Sequence, residues 1–241
     1  MTQSDPYRTQ SPAVPSLYLS EVFASIQGEG IYTGEPMFFV RFQGCSLGCV
    51  WCDTKYSWAE GPWKGTVVPL YDLLAIIQTA GLKKICITGG EPLEQPEVFE
   101  ELVQALKYST AYGGPYWIEV ETSGLVPLPE GPLFDLVDSW VVDLKCPGAG
   151  TYKSPVLGDL ARLRAGDQLK CVVANPVDLE YVVGTLKCHP TDAVVLISPA
   201  TPVSGRADRD WAQEVACFCV DYRYRLNLQI HKFLWGSKRG V

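Results

Sequence analysis

The sequence predicts an α/β fold, a partial (β/α)6-type open TIM-like barrel with parallel strands inside and helices outside. Two observations carry this. Short apolar runs alternate with helix-like stretches along the chain, the pattern of strands buried on both faces under helices. Polar and glycine-rich strings follow those runs at once, on the rim where barrel-type folds build their sites. With six or seven units rather than eight, the sheet should stay open on one side.

The elements follow in order. Residues 1–16 carry Ser, Thr, Gln and three prolines and read as a loosely docked arm, leaving residues 17–241 as one domain. Candidate strands are Met37–Phe42, Lys84–Thr88, Tyr116–Glu121, Ser139–Leu144, Gln168–Val173, Ala193–Ile197 and Leu226–Gln229. Each is short, rich in Val, Ile, Phe, Trp or similar residues, and bounded by turn formers. Helical patterns lie at Tyr71–Ala80, Pro96–Tyr108, Pro155–Arg164, Val177–Leu186 and Asp208–Val220. Gly81 suits the position after a helix end, and Pro96 suits a first turn.

Composition bounds the function. The chain has 241 residues, 27 acidic against 20 basic, and a net charge of −7, which argues against a non-specific nucleic-acid surface. No stretch approaches the ~18 uninterrupted apolar residues of a membrane span. Nine cysteines without an apolar signal segment point to a reducing cytoplasm.

Three of those cysteines, Cys45, Cys49 and Cys52, fall within eight residues. A four-iron cluster normally takes four cysteines, so a local trio leaves one iron open to an outside ligand. The competing readings are structural zinc, a disulfide, and ordinary buried thiols. Zinc usually takes two spaced ligand pairs, and the sequence holds no second C-x2-C and only two histidines, His189 and His231. Disulfide frameworks suit small secreted chains. The other six cysteines are scattered, several in apolar runs where free cysteine packs as a small hydrophobe.

Four polar strings complete the rim: Thr88-Gly89-Gly90-Glu91-Pro92, Glu121-Thr122-Ser123-Gly124, Asp143-Leu144-Lys145 and Ser198-Pro199. Any one of them reads equally as a turn. Four in register around one sheet favour a site.

The cysteine spacing, with Trp51 before the last cysteine, resembles the cluster loop of the radical S-adenosylmethionine enzymes. Within that superfamily the chain is similar to the 7-carboxy-7-deazaguanine synthases from about Leu17 onward. The likeness rests on Glu21–Gly30, Tyr32-Thr33-Gly34, Phe39-Val40-Arg41, Cys52–Tyr56, Thr88–Leu93, Glu121–Gly124 and His231-Lys232, in that order around the cysteine loop.

The resemblance implies a 4Fe–4S cluster on Cys45, Cys49 and Cys52, its open iron chelated by S-adenosylmethionine, and a 5′-deoxyadenosyl radical as oxidant. It assigns the cofactor to Trp51, Gly90, Glu91, Asp143, Leu144, Lys145, Ser198, Pro199, Ala200 and Thr201. Where the family more often shows Ser-Pro-Lys, this chain has Asp143-Leu144-Lys145, so Lys145 carries over better than Asp143. The substrate, 6-carboxy-5,6,7,8-tetrahydropterin, is assigned to Ile26, Gln27, Gly28, Arg41, Thr88, Glu121 and His231. A Mg2+ ion shared with the substrate carboxylate is assigned to Thr54. The resemblance further implies a homodimer, an electron donor such as flavodoxin or ferredoxin, and no direct contact with nucleic acid or membrane. A glycyl-radical activase and an iron–sulfur electron carrier stand as alternatives. The first lacks the Gln27 and Glu121 contexts, and the second leaves the rim residues without purpose.

Overall fold

The computed structural model describes residues 14–58, 65–151, 154–202, 208–236 and 238–241. Nine strands form one sheet: β1 (Ser16–Ile26), β2 (Pro36–Phe42), β3 (Thr66–Pro69), β4 (Lys84–Gly89), β5 (Trp117–Thr122), β6 (Ser139–Asp143), β7 (Gln168–Val173), β8 (Val194–Pro199) and β9 (Arg225–Leu226). Their order is β3-β1-β2-β4-β5-β6-β7-β8-β9, so the sheet is not closed. From β2 through β9 every neighbouring pair is parallel. The expected parallel barrel is therefore present, with an addition at one edge. There β1 runs antiparallel to both β2 and β3.

The helices are α1 (Leu70–Ala80), α2 (Pro96–Tyr108), α3 (Pro132–Leu136), α4 (Pro176–Cys188), α5 (Arg209–Tyr222) and α6 (Ile230–Trp235). Gly81 ends α1 in a left-handed conformation, φ 72°, and Pro96 opens α2, as the sequence implied. Side-chain oxygens of Asn175 and Asp208 cap α4 and α5 by accepting from backbone N–H groups. The helix expected over Pro155–Arg164 is instead a short 3-10 stretch, Leu157–Arg162. Gly158 weakens any helix there, and residues 152–153 before it lie outside the described residues. Of the predicted arm, residues 1–13 likewise lie outside them, and Ser16 already belongs to β1.

Strand alternation divides the sheet into two unlike faces. Phe38, Val40, Phe42, Ile85, Ile87, Ile118, Val120, Trp140, Val142, Leu169, Cys171 and Val173 belong to one core with the helix residues Leu73, Ile77, Phe99, Leu102, Leu106 and Val182. The intervening residues point the other way. They include an apolar patch of Met37, Phe39 and Cys86 and a polar set of Arg41, Thr88, Glu119, Glu121, Ser139, Asp143, Gln168, Lys170 and Ser198. Polar groups are not buried without partners. That face is where the chemistry lies.

Candidate active site

The C-terminal strand ends open into one cavity. The cysteine loop after β2 forms one wall, and the rim of β4 to β8 forms the floor. The tail from α6 onward, with Lys238, Arg239, Gly240 and Val241, also lines the cavity, and Lys232 of α6 pairs with Asp53 of the cysteine loop at 3.1 Å. Arg239 stacks over the Tyr56 ring, 3.7 Å from its centroid, and pairs with Glu21 at 3.4 Å. Of the residues marked from sequence, Ile26, Gln27, Gly28, Arg41, Cys45, Cys49, Trp51, Cys52, Thr54, Thr88, Gly90, Glu121, Asp143, Lys145, Ser198, Pro199, Thr201 and His231 all line this cavity.

Three marked residues do not. Glu91 is fully buried behind the wall, where its carboxylate accepts from Leu93 N at 3.1 Å, Thr122 Oγ1 at 2.9 Å and Ser123 N at 2.8 Å. It holds the turn after β4 against the end of β5. Leu144 alternates away from the cavity into the core, 1 % exposed. Ala200 lies outside the lining, its backbone N–H donating to Val173 O at 2.8 Å. The glycine pair also has a more local cause than room for a ligand. A Cβ on Gly90 would stand 1.9 Å from Gly44 O, and one on Gly89 would stand 2.4 Å from Phe42 N. Close packing of the two loops requires both glycines.

The three loop cysteines are free thiols packed with Leu47 and Leu125. Burial pushes Cys45 up to about 12 and also raises Cys49, so these groups stay protonated until a cation displaces the protons. Three thiolates leave a zinc ion one short of the four ligands of a closed structural site, whereas a four-iron cluster with one open iron takes three. A wider, multi-iron group fits that donor set. Trp58 Nε1 donates to Cys52 Sγ at 3.3 Å, and Thr54 Oγ1 lies 3.5 Å from the same sulfur.

Beside the loop, two buried polar atoms lack a hydrogen-bond partner: Trp51 Nε1 and Asp143 Oδ1. Asp143 pairs with Lys145 through its other oxygen, and Lys170 stands 3.5 Å from Oδ1 without a hydrogen bond. An orphaned buried acceptor at the strand rim suits a ligand hydroxyl. The residues present therefore fit both the cluster and a nucleoside cofactor.

Deeper in, the polar face is densely paired. Glu121 accepts from Gln27 Nε2 at 3.2 Å and Thr88 Oγ1 at 2.7 Å. Gln27 also donates to Glu119, and its Oε1 accepts from Glu29 N at 3.2 Å. Every polar atom of Gln27 is thereby engaged by the protein, so it orients Glu121 rather than reaching outward. Thr88 is bound in the same way. Arg41 donates through Nε to Glu21 at 3.1 Å and lies 5.9 Å over the Phe23 ring. Gly28 is a glycine because His231 packs on it; a Cβ there would meet His231 Nδ1 at 2.2 Å.

Sequence reasoning missed several members of this face. Glu29 pairs with Lys170 at 3.2 Å and accepts from Gln229 at 2.7 Å. Burial alone would raise its carboxyl, yet Lys170, His231 and Gln229 hold it down at about 2. Glu119 goes the other way, up to about 8, through burial and the charge of Glu121. Lys170 stays cationic despite burial because Asp143 and Glu29 flank it. The available signal was a charged residue inside an otherwise apolar strand, as in Gln168–Val173 and Trp117–Thr122.

Fold and site together define a radical S-adenosylmethionine enzyme, and residues 39–138 match the Radical SAM superfamily. Relatives described as 7-carboxy-7-deazaguanine synthase share 34 % identity in Koribacter versatilis (93 % of this chain, 100 % of that one) and 33 % in Methanospirillum hungatei (94 % and 89 %). The Thermoplasma acidophilum relative is 31 % identical over 93 % of this chain and 100 % of its own. The crystal structure of QueE from Escherichia coli superposes with a TM-score of 0.68 at 25 % identity, covering 89 % of this chain and 94 % of that one. The chain belongs to the 7-carboxy-7-deazaguanine synthase family.

Proposed function

We propose that this protein converts 6-carboxy-5,6,7,8-tetrahydropterin to 7-carboxy-7-deazaguanine with loss of ammonia. The observation that carries this reading is the shared cavity: the cysteine loop, Arg41 and the braced Glu121 carboxylate all line it. An activase or an electron carrier has no use for the Arg41–Glu121 half. Reconstituted, reduced protein incubated with S-adenosylmethionine and the pterin should yield the deazaguanine. Cofactor cleavage that leaves the pterin unchanged would refute the reading.

Cys45, Cys49 and Cys52 hold the cluster in this reading. Trp51, Asp143, Lys145, Ser198, Pro199 and Thr201, with the backbone at Gly90, hold S-adenosylmethionine. When bound, the pair supplies a 5′-deoxyadenosyl radical able to remove hydrogen from C6 of the substrate. The chain's own work is placement and exclusion of water. Arg41 takes the substrate carboxylate, since only its Nε is used by Glu21 and its Nη atoms have no hydrogen bond among the described residues. Glu121, fixed by Gln27 and Thr88, accepts from the pterin N–H edge. Ile26, the Gly28 backbone and His231 close the remaining face. A cationic Lys170 between Glu29 and Asp143 ties the substrate side to the cofactor side.

Thr54 lines the cavity beside Cys52 and offers one hydroxyl to Mg2+. One oxygen cannot define an octahedral site, so the substrate carboxylate and waters must complete it. Thr54→Ala should lower turnover several-fold and blunt the response to added magnesium while leaving the cluster spectrum unchanged. Thr54→Ser should keep most activity. A Thr54→Ala protein with the parent's magnesium dependence would place the ion elsewhere.

No helix among the described residues is long and apolar enough to cross a membrane. The reading includes a cytoplasmic location, a homodimer, a flavodoxin- or ferredoxin-type electron donor, and no direct contact with nucleic acid. The −7 net charge argues against nucleic acid.

A further inference from the structure

Glu119 lies one pleat deeper than Glu121 on the inward face of β5, 1 % exposed, and the reaction as described makes no use of it. Its two carboxyl oxygens each accept an amide N–H: Oε1 from Gln27 Nε2 and Oε2 from Gln168 Nε2, the latter at 3.0 Å. Both amides are held at their other ends. Gln27 Oε1 accepts from Glu29 N at 3.2 Å, while its Nε2 also donates to Glu121 at 3.2 Å. Gln168 Oε1 accepts from Ile31 N at 2.8 Å.

These contacts fix which way each amide points. Gln27 must turn its oxygen to the Glu29 N–H, and Gln168 must turn its oxygen to the Ile31 N–H. Two NH2 groups then converge on residue 119 from opposite sides. Only a side chain with two acceptor oxygens satisfies both, which for Glu119 is the ionised carboxyl that these two N–H bonds favour against burial and Glu121. Glutamine would oppose NH2 to NH2, and alanine would strand two buried donors.

We propose that Glu119 is a positioning residue for the reaction. By receiving Gln27 and Gln168 together, it sets the loop of residues 27–31 and the Glu121 carboxylate at the geometry that accepts the substrate. The inference rests on the reading of Glu121 as the pterin acceptor and adds the residue that aims it.

The test exchanges the two ends of one hydrogen bond. Glu119→Gln alone should raise KM for the pterin about tenfold or more, the effect of unsatisfied buried donors next to the binding group. Cofactor cleavage without pterin and the cluster spectrum should stay as in the parent. In the double variant Glu119→Gln/Gln168→Glu, the amide now at 119 accepts from Gln27 and donates to the carboxylate at 168. That carboxylate still accepts from the Ile31 N–H, so both bonds at residue 119 are restored with the net charge unchanged; the one bond lost is that from Gln168 Nε2 to Ser139 Oγ at 3.2 Å, on the side away from the substrate loop. Its KM should return to within about threefold of the parent.

A purely structural role would lower the melting temperature and leave KM alone. The inference is overturned by a single variant whose KM lies within about twofold of the parent, or by a folded double variant no better than the single one. Should the single variant fail to fold, the double variant decides. Parent-like KM supports the inference, while raised KM or failure to fold overturns it. A parent protein that leaves the pterin unchanged refutes the proposed reaction and removes the basis of this inference with it.

Discussion

Cys49→Ala protein, reconstituted anaerobically, should cleave no S-adenosylmethionine and form no product. Cys49 is 8 % exposed and packs with Cys45, Cys52, Leu47 and Leu125, so its sulfur has no solvent alternative as a ligand. Two remaining thiolates cannot keep a four-iron cluster with a single open iron. The lost cavity wall also removes the group that supplies the radical, so the effect is abolition rather than a fractional decrease. Cys188 and Cys217 are exposed on the outer helices α4 and α5. Cys188→Ala and Cys217→Ala should therefore leave turnover unchanged. Retained cleavage in Cys49→Ala, or equal loss in the two controls, would show that the cluster is held elsewhere.

Arg41→Lys should raise KM for the pterin while leaving cofactor cleavage without substrate intact. Arg41 stands on β2 at the register of Thr88 on β4, two strands from the Glu121 carboxylate on β5 that Thr88 braces. Its guanidinium is held by Glu21 through Nε and by the Phe23 ring, which presets the direction of the fork. Glu21 itself receives Tyr56 Oη at 2.7 Å and so cannot follow a shorter cation. Lysine keeps the charge and loses both the second donor and that preset geometry. A charged hydrogen bond is worth about 1.5–3 kcal/mol, so KM should rise roughly 10- to 150-fold. An unchanged KM would assign Arg41 to the scaffold.

Why some of this was legible in sequence and some was not has physical causes. The central strands bury both faces or alternate sharply, so Ile85–Ile87 and Leu169–Val173 stand out from any loop. The cysteine loop is legible because its chemistry depends on spacing along the chain. β1 was missed because a register shift between Leu19 and Glu21 breaks its two-residue period and Ser20, Glu21 and Ser25 interrupt its apolar run. β3 has four residues and ends at Pro69, too short to separate from a loop.

The site divides along the same line. Residues in motifs after strand ends were placed on the cavity, whereas Glu119 and Lys170, inside strands, were not marked. Their roles come from cross-strand neighbours: Asp143 opposite Lys170 on β6, and Gln27 and Gln168 on either side of Glu119. No single strand's pattern contains that information. Glu91 shows the converse. The Gly-Gly-Glu-Pro string marked it for the cofactor, but the fold turns its carboxylate onto Thr122 and Ser123.

The most direct test of the central claim is to follow deuterium from C6 of the pterin. If the cysteine loop and the Arg41–Glu121 half of the cavity act on the same bound pair, turnover with C6-deuterated substrate should carry deuterium into the 5′ position of the cofactor-derived adenosyl group. Product formation with no deuterium there, or cofactor cleavage indifferent to the pterin, would contradict the account.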